Sequence, residues 1–538
     1  MRASIVAWSV RCIVGLGLVP ASAAAQGEGA AEMVFGADEV PPASVDAAPS
    51  QDLADALRLY QGEHYAEAAV RLMPVVDGTT HDAPRNVDRA QLTLAKCLYH
   101  LQLYRGALSL FDDISARGPS HAYFDAALPW LAMLGRVLEE PAGVAAMVGR
   151  YPDASVDALG SGADAAVVDH ARYLAGRHAY DEADFTRAVE RLSEISPRSP
   201  DRVRGLLLQG VTHVRARHAQ PAIASFRAAL DAIDHGAPHE GDLRGLAWLS
   251  LGRVYYTAAN RVDDEGERTI DPVLLANAIA AFDRVETTSE HWPDALFERS
   301  WALFLVSQES RALGSIHALA SPYFEGRYYP EAHVLRAVVY FGACQLENAD
   351  AVVRDFHQRF DPVRDELARL LAAAESEDVD VRLDAVARLP GAAGGAQDPM
   401  LARHVAYLAQ LDEERARFDA LPDELRASAV GDYVLQELAV ARAFATDALG
   451  SLAHARIERQ LAELDELMSQ MDAVEVETVR VTREGLSDVQ RSEAERIRAA
   501  GGLEVEVDEE HQIWPFDGEY WRDELPSYRQ RVSSICTR

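Results

Sequence analysis

The chain has 538 residues, 49% of them hydrophobic, and a formal charge of −33 at pH 7. Such length and apolar content allow several packed domains and exclude a disordered acidic polymer. The field of so negative a chain repels nucleic acid and anionic lipid, and no basic cluster opposes it, so neither is an expected partner.

Arg2 opens a short basic region, Ile5 to Val19 is apolar apart from Ser9 and Arg11, and Ala23-Ala24-Ala25 precedes Gln26. That order predicts an export signal over residues 1–25, cleaved before Gln26, and hence a periplasmic protein. The apolar run is too short and too interrupted to span a bilayer. No later run is apolar enough either, so no integral membrane span is expected. Residues 26–50 hold Gly, Ala, Pro, Ser and acidic side chains without periodicity and read as a disordered leader.

Beyond the leader, one arrangement of small and bulky residues keeps returning. Ala95, Ala107 and Phe111 set it. It recurs as Gly176, Ala188 and Leu192, as Gly210, Ala222 and Phe226, and as Gly252, Ala278 and Phe282. Ser300, Ala312 and Ile316 repeat it, as do Ala337, Ala349 and Val353. A small residue in one helix, a second small residue in the next and a bulky residue one turn later let two helices approach closely. One such pair buries only part of its apolar face, so the period predicts stacked pairs.

These residues resemble the tetratricopeptide repeat. Degenerate units over Leu57 to Val76 and Tyr123 to Tyr151 bring the number to about eight, across residues 51–362. The resemblance implies an all-α helical solenoid that holds protein partners, and it places the first helices along a concave face. Carried onto this chain, the family's groove positions are Lys96, Arg177, Arg253 and Trp301, with Tyr99, Tyr180, Tyr256, Phe304 and Phe341 beside them. Cations and rings converging in an acidic protein predict a groove for a carboxylate-bearing peptide segment. Between Ala258 and Leu274 the inter-helix turn is longer and carries Asp263, Asp264, Glu265 and Glu267. That insertion lacks the spacing of a calcium loop and reads as solvated.

Residues 363–399 read as a helical cap and a linker broken by Pro390, Gly391, Gly394, Gly395 and Pro399. Residues 400–500 predict long helices, arranged as a helical hairpin or a short coiled coil that offers a surface for self-association. Ile457, Leu461, Leu464, Met468 and Met471 form the candidate seam, and Glu475 and Thr478 end it early, which favours the hairpin. The last segment, 501–538, is a small irregular or β tail in which Leu503, Val505 and Val507 alternate with acidic residues. Trp514, Phe516, Tyr520 and Trp521 follow, and so many rings predict docking on the preceding helices, with a pocket on a partner protein as the alternative.

Once the signal and its Cys12 are removed, Cys97, Cys344 and Cys536 remain, an odd number that defines no disulfide framework. Cys97 and Cys344 read as ordinary thiols of the repeats, and Cys536 as a free thiol in preference to an intermolecular pair. No glycine-rich phosphate loop, zinc-spaced histidine pair or nucleophile elbow is present, so no catalytic residue, cofactor or metal is expected. Finally, Ser321 to Ala332 with Val338 to Phe341, and Trp514 to Leu525, resemble exported tetratricopeptide proteins of the myxobacterial lineage. Some of those are associated with gliding motility. The resemblance implies a scaffold of an envelope complex, with an adaptor for cell-wall or outer-membrane assembly as the alternative and a peptidoglycan-cleaving enzyme behind it.

Overall fold

In a computed structural model the described residues are 48–374, 399–484 and 518–536, less 139, 162–163, 240, 263–267, 325 and 535, together with 381, 384 and 388. The export signal, most of the leader, the acidic insertion, the linker around Pro390, the alternating stretch at Val505, and Trp514 and Phe516 lie outside them. The described residues form two compact units, one running over 48–243 and 399–452, the other over 244–388 and 453–536.

The first unit opens with helix pairs α1 (Gln51–Gln61) and α2 (Tyr65–Val76), then α3 (Pro84–His100) and α4 (Tyr104–Arg117). The third pair is degenerate: α5 (Phe124–Val137) is full length, but its partner is reduced to α6 (Val144–Val148) and α7 (Asp153–Ala158). Tyr151 fills the gap, stacked on Phe124 at 4.1 Å between ring centres and donating its hydroxyl to the Phe124 carbonyl at 3.1 Å. Pairs α8 (Ala165–Asp181) with α9 (Phe185–Ser193) and α10 (Arg202–Arg215) with α11 (Ala219–Asp234) follow.

Three more pairs belong to the second unit. They are α12 (Leu243–Ala259) with α13 (Pro272–Phe282), α14 (Trp292–Leu305) with α15 (Glu309–Leu319), and α16 (Pro330–Gly342) with α17 (Leu346–Ala374). The lengthened turn between α12 and α13 is a two-stranded antiparallel ribbon, β1 (Asn260–Val262) against β2 (Arg268–Ile270). Asp271 then starts α13 by accepting from the Val273 and Leu274 amides.

The small and bulky positions meet as their spacing requires. Ala107, Phe111, Ala222, Phe226, Ala278 and Ala349 are fully buried. A Cβ on Gly210 would lie 2.5 Å from the Phe226 ring, and one on Gly176 would lie 2.7 Å from Leu192. These glycines are therefore demanded by helix contact.

A second regularity sits in the turns. Glu63, Gln102, Ala183, Arg217, Ser307 and Cys344, none of them glycine, each take a left-handed φ of about 60°. In every case the next amide returns to the carbonyl five residues back, as from Leu103 to Leu98, Asp184 to Ala179 and Gln345 to Tyr340, at 2.8–2.9 Å. This closes the first helix in Schellman fashion and launches the second antiparallel to it.

After the repeats come α18 (Pro399–Asp419), the short α19 (Asp423–Arg426) and α20 (Ala429–Glu484), the last an unbroken helix of 56 residues. The long run does not fold on itself as a hairpin over residues 429–484, and it is α18 and the start of α20 that an Arg442–Asp412 ion pair joins. In the second unit the later part of α20 runs beside α17 through Arg364–Asp465 at 2.6 Å and His357–Asp472 at 3.3 Å. Its buried stripe is Ile457, Gln460, Leu464, Leu467 and Met471. Leu461 and Met468, assigned to the seam, are only half-buried. Gln460 holds a core position that its polarity conceals, and this moves the stripe by one residue at two places.

Candidate protein-interaction surface

The predicted groove residues are largely committed to contacts between consecutive repeats. In the first unit Lys96 on α3 is only 7% exposed and lies over the Trp130 ring of α5, its ammonium 5.2 Å from the ring centre. Tyr99 meets Trp130 and Tyr104 edge-on, and burial pushes its phenol up to about 12, so the ring stays neutral. Arg177 lies 4.0 Å from Asp181, and Tyr180 is covered by the Arg215 guanidinium of α10 at 4.6 Å.

The same theme holds in the second unit. Arg253 on α12 reaches Glu298 on α14, at 2.7 Å from Nε and 2.6 Å from a terminal nitrogen. A carboxylate-bearing ligand would have to displace Glu298 to use that cation. Tyr256 and Trp301 are buried, and Phe304 meets Trp301 edge-on at 6.3 Å. Half-exposed surface remains at Phe304 and Phe341 here, and at Tyr99 and Tyr180 in the first unit.

The second unit already holds a peptide, supplied by its own chain. Residues 518–536 lie against α14, α15 and α16, largely without regular structure. Leu525 is fully buried, in the short turn Leu525–Ser527 that packs on α15. The segment passes close over Gly314 on α15, where a Cβ would collide with the Tyr528 carbonyl. Tyr520 and Tyr528 both lean on His317, at 5.1 and 5.5 Å between ring centres. Burial, aided by Arg336, lowers the His317 pKa, so the ring stacks as a neutral imidazole.

The polar contacts are directed mainly at the main chain. Arg299 on α14 spends its fork on Ser315, on Asp283 at 2.8 Å and on the Pro526 carbonyl at 3.0 Å. Gln345 donates to the Ser533 carbonyl at 2.9 Å, Tyr323 donates to the Tyr520 carbonyl at 3.3 Å, and the Gln530 amide donates to Ser310 O at 2.9 Å. Gln530 adds a side-chain contact to the Tyr340 hydroxyl at 2.7 Å. At the end, Cys536 is disulfide-bonded to Cys344.

Three sequence expectations change here. Cys344 is not an ordinary repeat thiol and Cys536 is not a free one: the two pair within the chain, and the odd cysteine is the buried Cys97. Trp521 does not dock, being 56% exposed, whereas Tyr520 does. Leu525, the anchor of the segment, carries no aromatic signal and was recognisable only as the one aliphatic residue between Glu524 and Pro526. His170 is buried and held by Asp201 at 3.1 Å. Among the described residues no cluster of His, Cys, Asp and Glu is arranged to hold a metal ion, and no helix is long and apolar enough to cross a membrane.

Helix pairs, small-to-bulky contacts and left-handed turns together define an all-α protein built of tetratricopeptide-like repeats. No protein-family model matches the chain, and no curated protein is significantly similar to it. Among solved structures it is similar to the crystal structure of the APC/C hetero-tetramer Cut9–Hcn1, with 12% identity over 78% of this chain and 96% of that chain, at a TM-score of 0.19. At that score no residue of one chain is equated with a residue of the other, and the fold assignment rests on the geometry above.

Proposed function

We propose that this protein is a non-enzymatic scaffold of a bacterial envelope complex, exported to the periplasm, whose repeats hold segments of partner proteins. The observation that carries the reading is the bound C-terminal segment, because it uses contacts to main-chain carbonyls and amides that any extended peptide can satisfy. The Cys344–Cys536 pair supports the exported location, since such bonds persist in oxidising compartments. The envelope process itself, gliding motility included, follows from the sequence resemblance alone. Adaptor roles in cell-wall or outer-membrane assembly use the same surface.

A photo-crosslinking residue at Tyr99, Tyr180 or Phe341 in living cells tests the scaffold reading, with discrete protein adducts expected. Adducts to none of the three positions would sink it. N-terminal sequencing of the mature protein tests export, with Gln26 expected as the first residue.

A further inference from the structure

The segment on α14–α16 has the marks of a ligand. Its main chain is read at Tyr520, Pro526, Gln530 and Ser533, so the strip accepts an extended chain along its length. Side-chain contacts come from buried Leu525, from the two tyrosines against His317, from Gln530 on the Tyr340 hydroxyl and from Arg522 on the Thr287 carbonyl. The closing bond is made by the repeat itself, for Cys344 is the left-handed residue of the turn that launches α17. Cys536 is exposed while Cys344 is half-buried, so a reductant meets Cys536 first.

We infer that the strip on α14–α16 is a binding site for an extended partner segment bearing tyrosines about a leucine, kept occupied by the protein's own C-terminus through a disulfide latch that a dithiol oxidoreductase opens. The inference rests on the scaffold reading and names one of its sites. The thiolate of the oxidoreductase attacks Cys536 Sγ, and Cys344 leaves as a thiolate that takes up a proton. The reductant's second thiol then resolves the mixed disulfide, releasing Cys536 as a thiol. Two electrons pass from the dithiol, which ends as a disulfide. While latched, the segment is anchored at both ends and its effective concentration excludes a competitor. Once open it is tethered at one end only, and a partner segment competes for the strip.

The test uses the full chain and a fluorescein-labelled synthetic peptide of residues 518–536 carrying Cys536→Ser. A Cys344→Ser/Leu525→Asp protein, whose own segment is evicted, should bind the peptide at least about ten-fold more tightly than the oxidised parent does. Adding Gly314→Val should abolish that binding by filling the space that the Tyr528 main chain occupies. In the parent, dithiothreitol should raise amide exchange over residues 518–534 while α14–α16 stay protected. An evicted protein of unchanged helicity that binds no peptide would overturn the site, and unchanged exchange on reduction would overturn the latch. Either failure leaves adducts at Tyr99 and Tyr180 untouched, so the scaffold reading is judged separately.

Discussion

Each unit fastens a remote segment onto the start of a repeat's second helix, and the two use different chemistry. In the first unit Glu414 on α18 receives the Arg105 amide at 2.9 and 3.0 Å, capping α4 just after its turn, while Tyr433 on α20 donates to the Gly106 carbonyl at 3.2 Å. Arg105 also pairs with Glu437 on α20 at 3.1 Å. In the second unit the remote segment is an extended chain, and its end is covalently joined to the turn before α17. Helix-on-helix packing can bury a carboxylate and so acquires a proton-sensitive clasp. The extended segment of the second unit is closed instead by a bond that is sensitive to reduction.

The largest effects should come from the shared repeat core. Phe226 in the first unit and Phe282 in the second are essentially unexposed against their glycines. Phe226→Ala and Phe282→Ala should each cost about 3–5 kcal/mol. Hydrogen exchange read by mass spectrometry should localise each loss to its own unit. Equal deprotection of both units by either variant would mean that they unfold as one.

The clasps come next. Cys344→Ser should lower the stability of the second unit by about 2–4 kcal/mol, the usual range for a lost disulfide, with the first unit's exchange unchanged. Glu414→Ala should cost the first unit about 1–3 kcal/mol by removing the acceptor of the half-buried Arg105 amide.

Glu414 also sets a pH dependence with a definite sign. Burial pushes its carboxyl up to about 7, overcoming the Arg105 and Gly106 amides and Arg417, which pull the other way. A folded-state value above the unfolded one means that the native protein binds the proton more tightly. The contribution is therefore complete below the ordinary value of 4.5 and is lost as pH rises through about 7. Denaturation followed from about pH 5 to about pH 8 should show the first unit weakening with rising pH, and Glu414→Gln should flatten that slope. A parent whose first unit strengthens over the same range would show Glu414 to be ionised throughout.

The repeats were legible because their constraint is local. Gly210, Ala222 and Phe226 meet within one helix pair, so spacing along the chain is nearly spacing in space. The clasps were not legible, because Arg105 and Glu414 are 309 residues apart and Cys344 and Cys536 are 192 apart. No periodicity links such positions, and a carboxylate among 85 acidic residues announces nothing. The groove residues fall between these cases. Their positions on the first helices followed from the repeat, but whether Arg253 faces a ligand or Glu298 depends on the neighbouring repeat.

The smallest effect tests the turns that both units share. Ala183 in the first unit and Ser307 in the second hold left-handed φ values of 59° while exposed to solvent. A Cβ in that conformation crowds the following carbonyl and costs roughly 1 kcal/mol, which glycine avoids. Glycine also enlarges the unfolded ensemble, which offsets part of the gain. Ala183→Gly and Ser307→Gly should therefore each stabilise their unit, by about 0.5–1 kcal/mol. Ala224→Gly supplies the opposite sign: this residue is exposed within α11, where glycine is worse than alanine by about 1 kcal/mol. Chemical denaturation of the three variants resolves the difference in sign even where its size is small. Destabilisation by all three would mean that the turns do not hold the left-handed residue in solution, and the geometry that launches the second helix in six of the pairs would have to be redrawn.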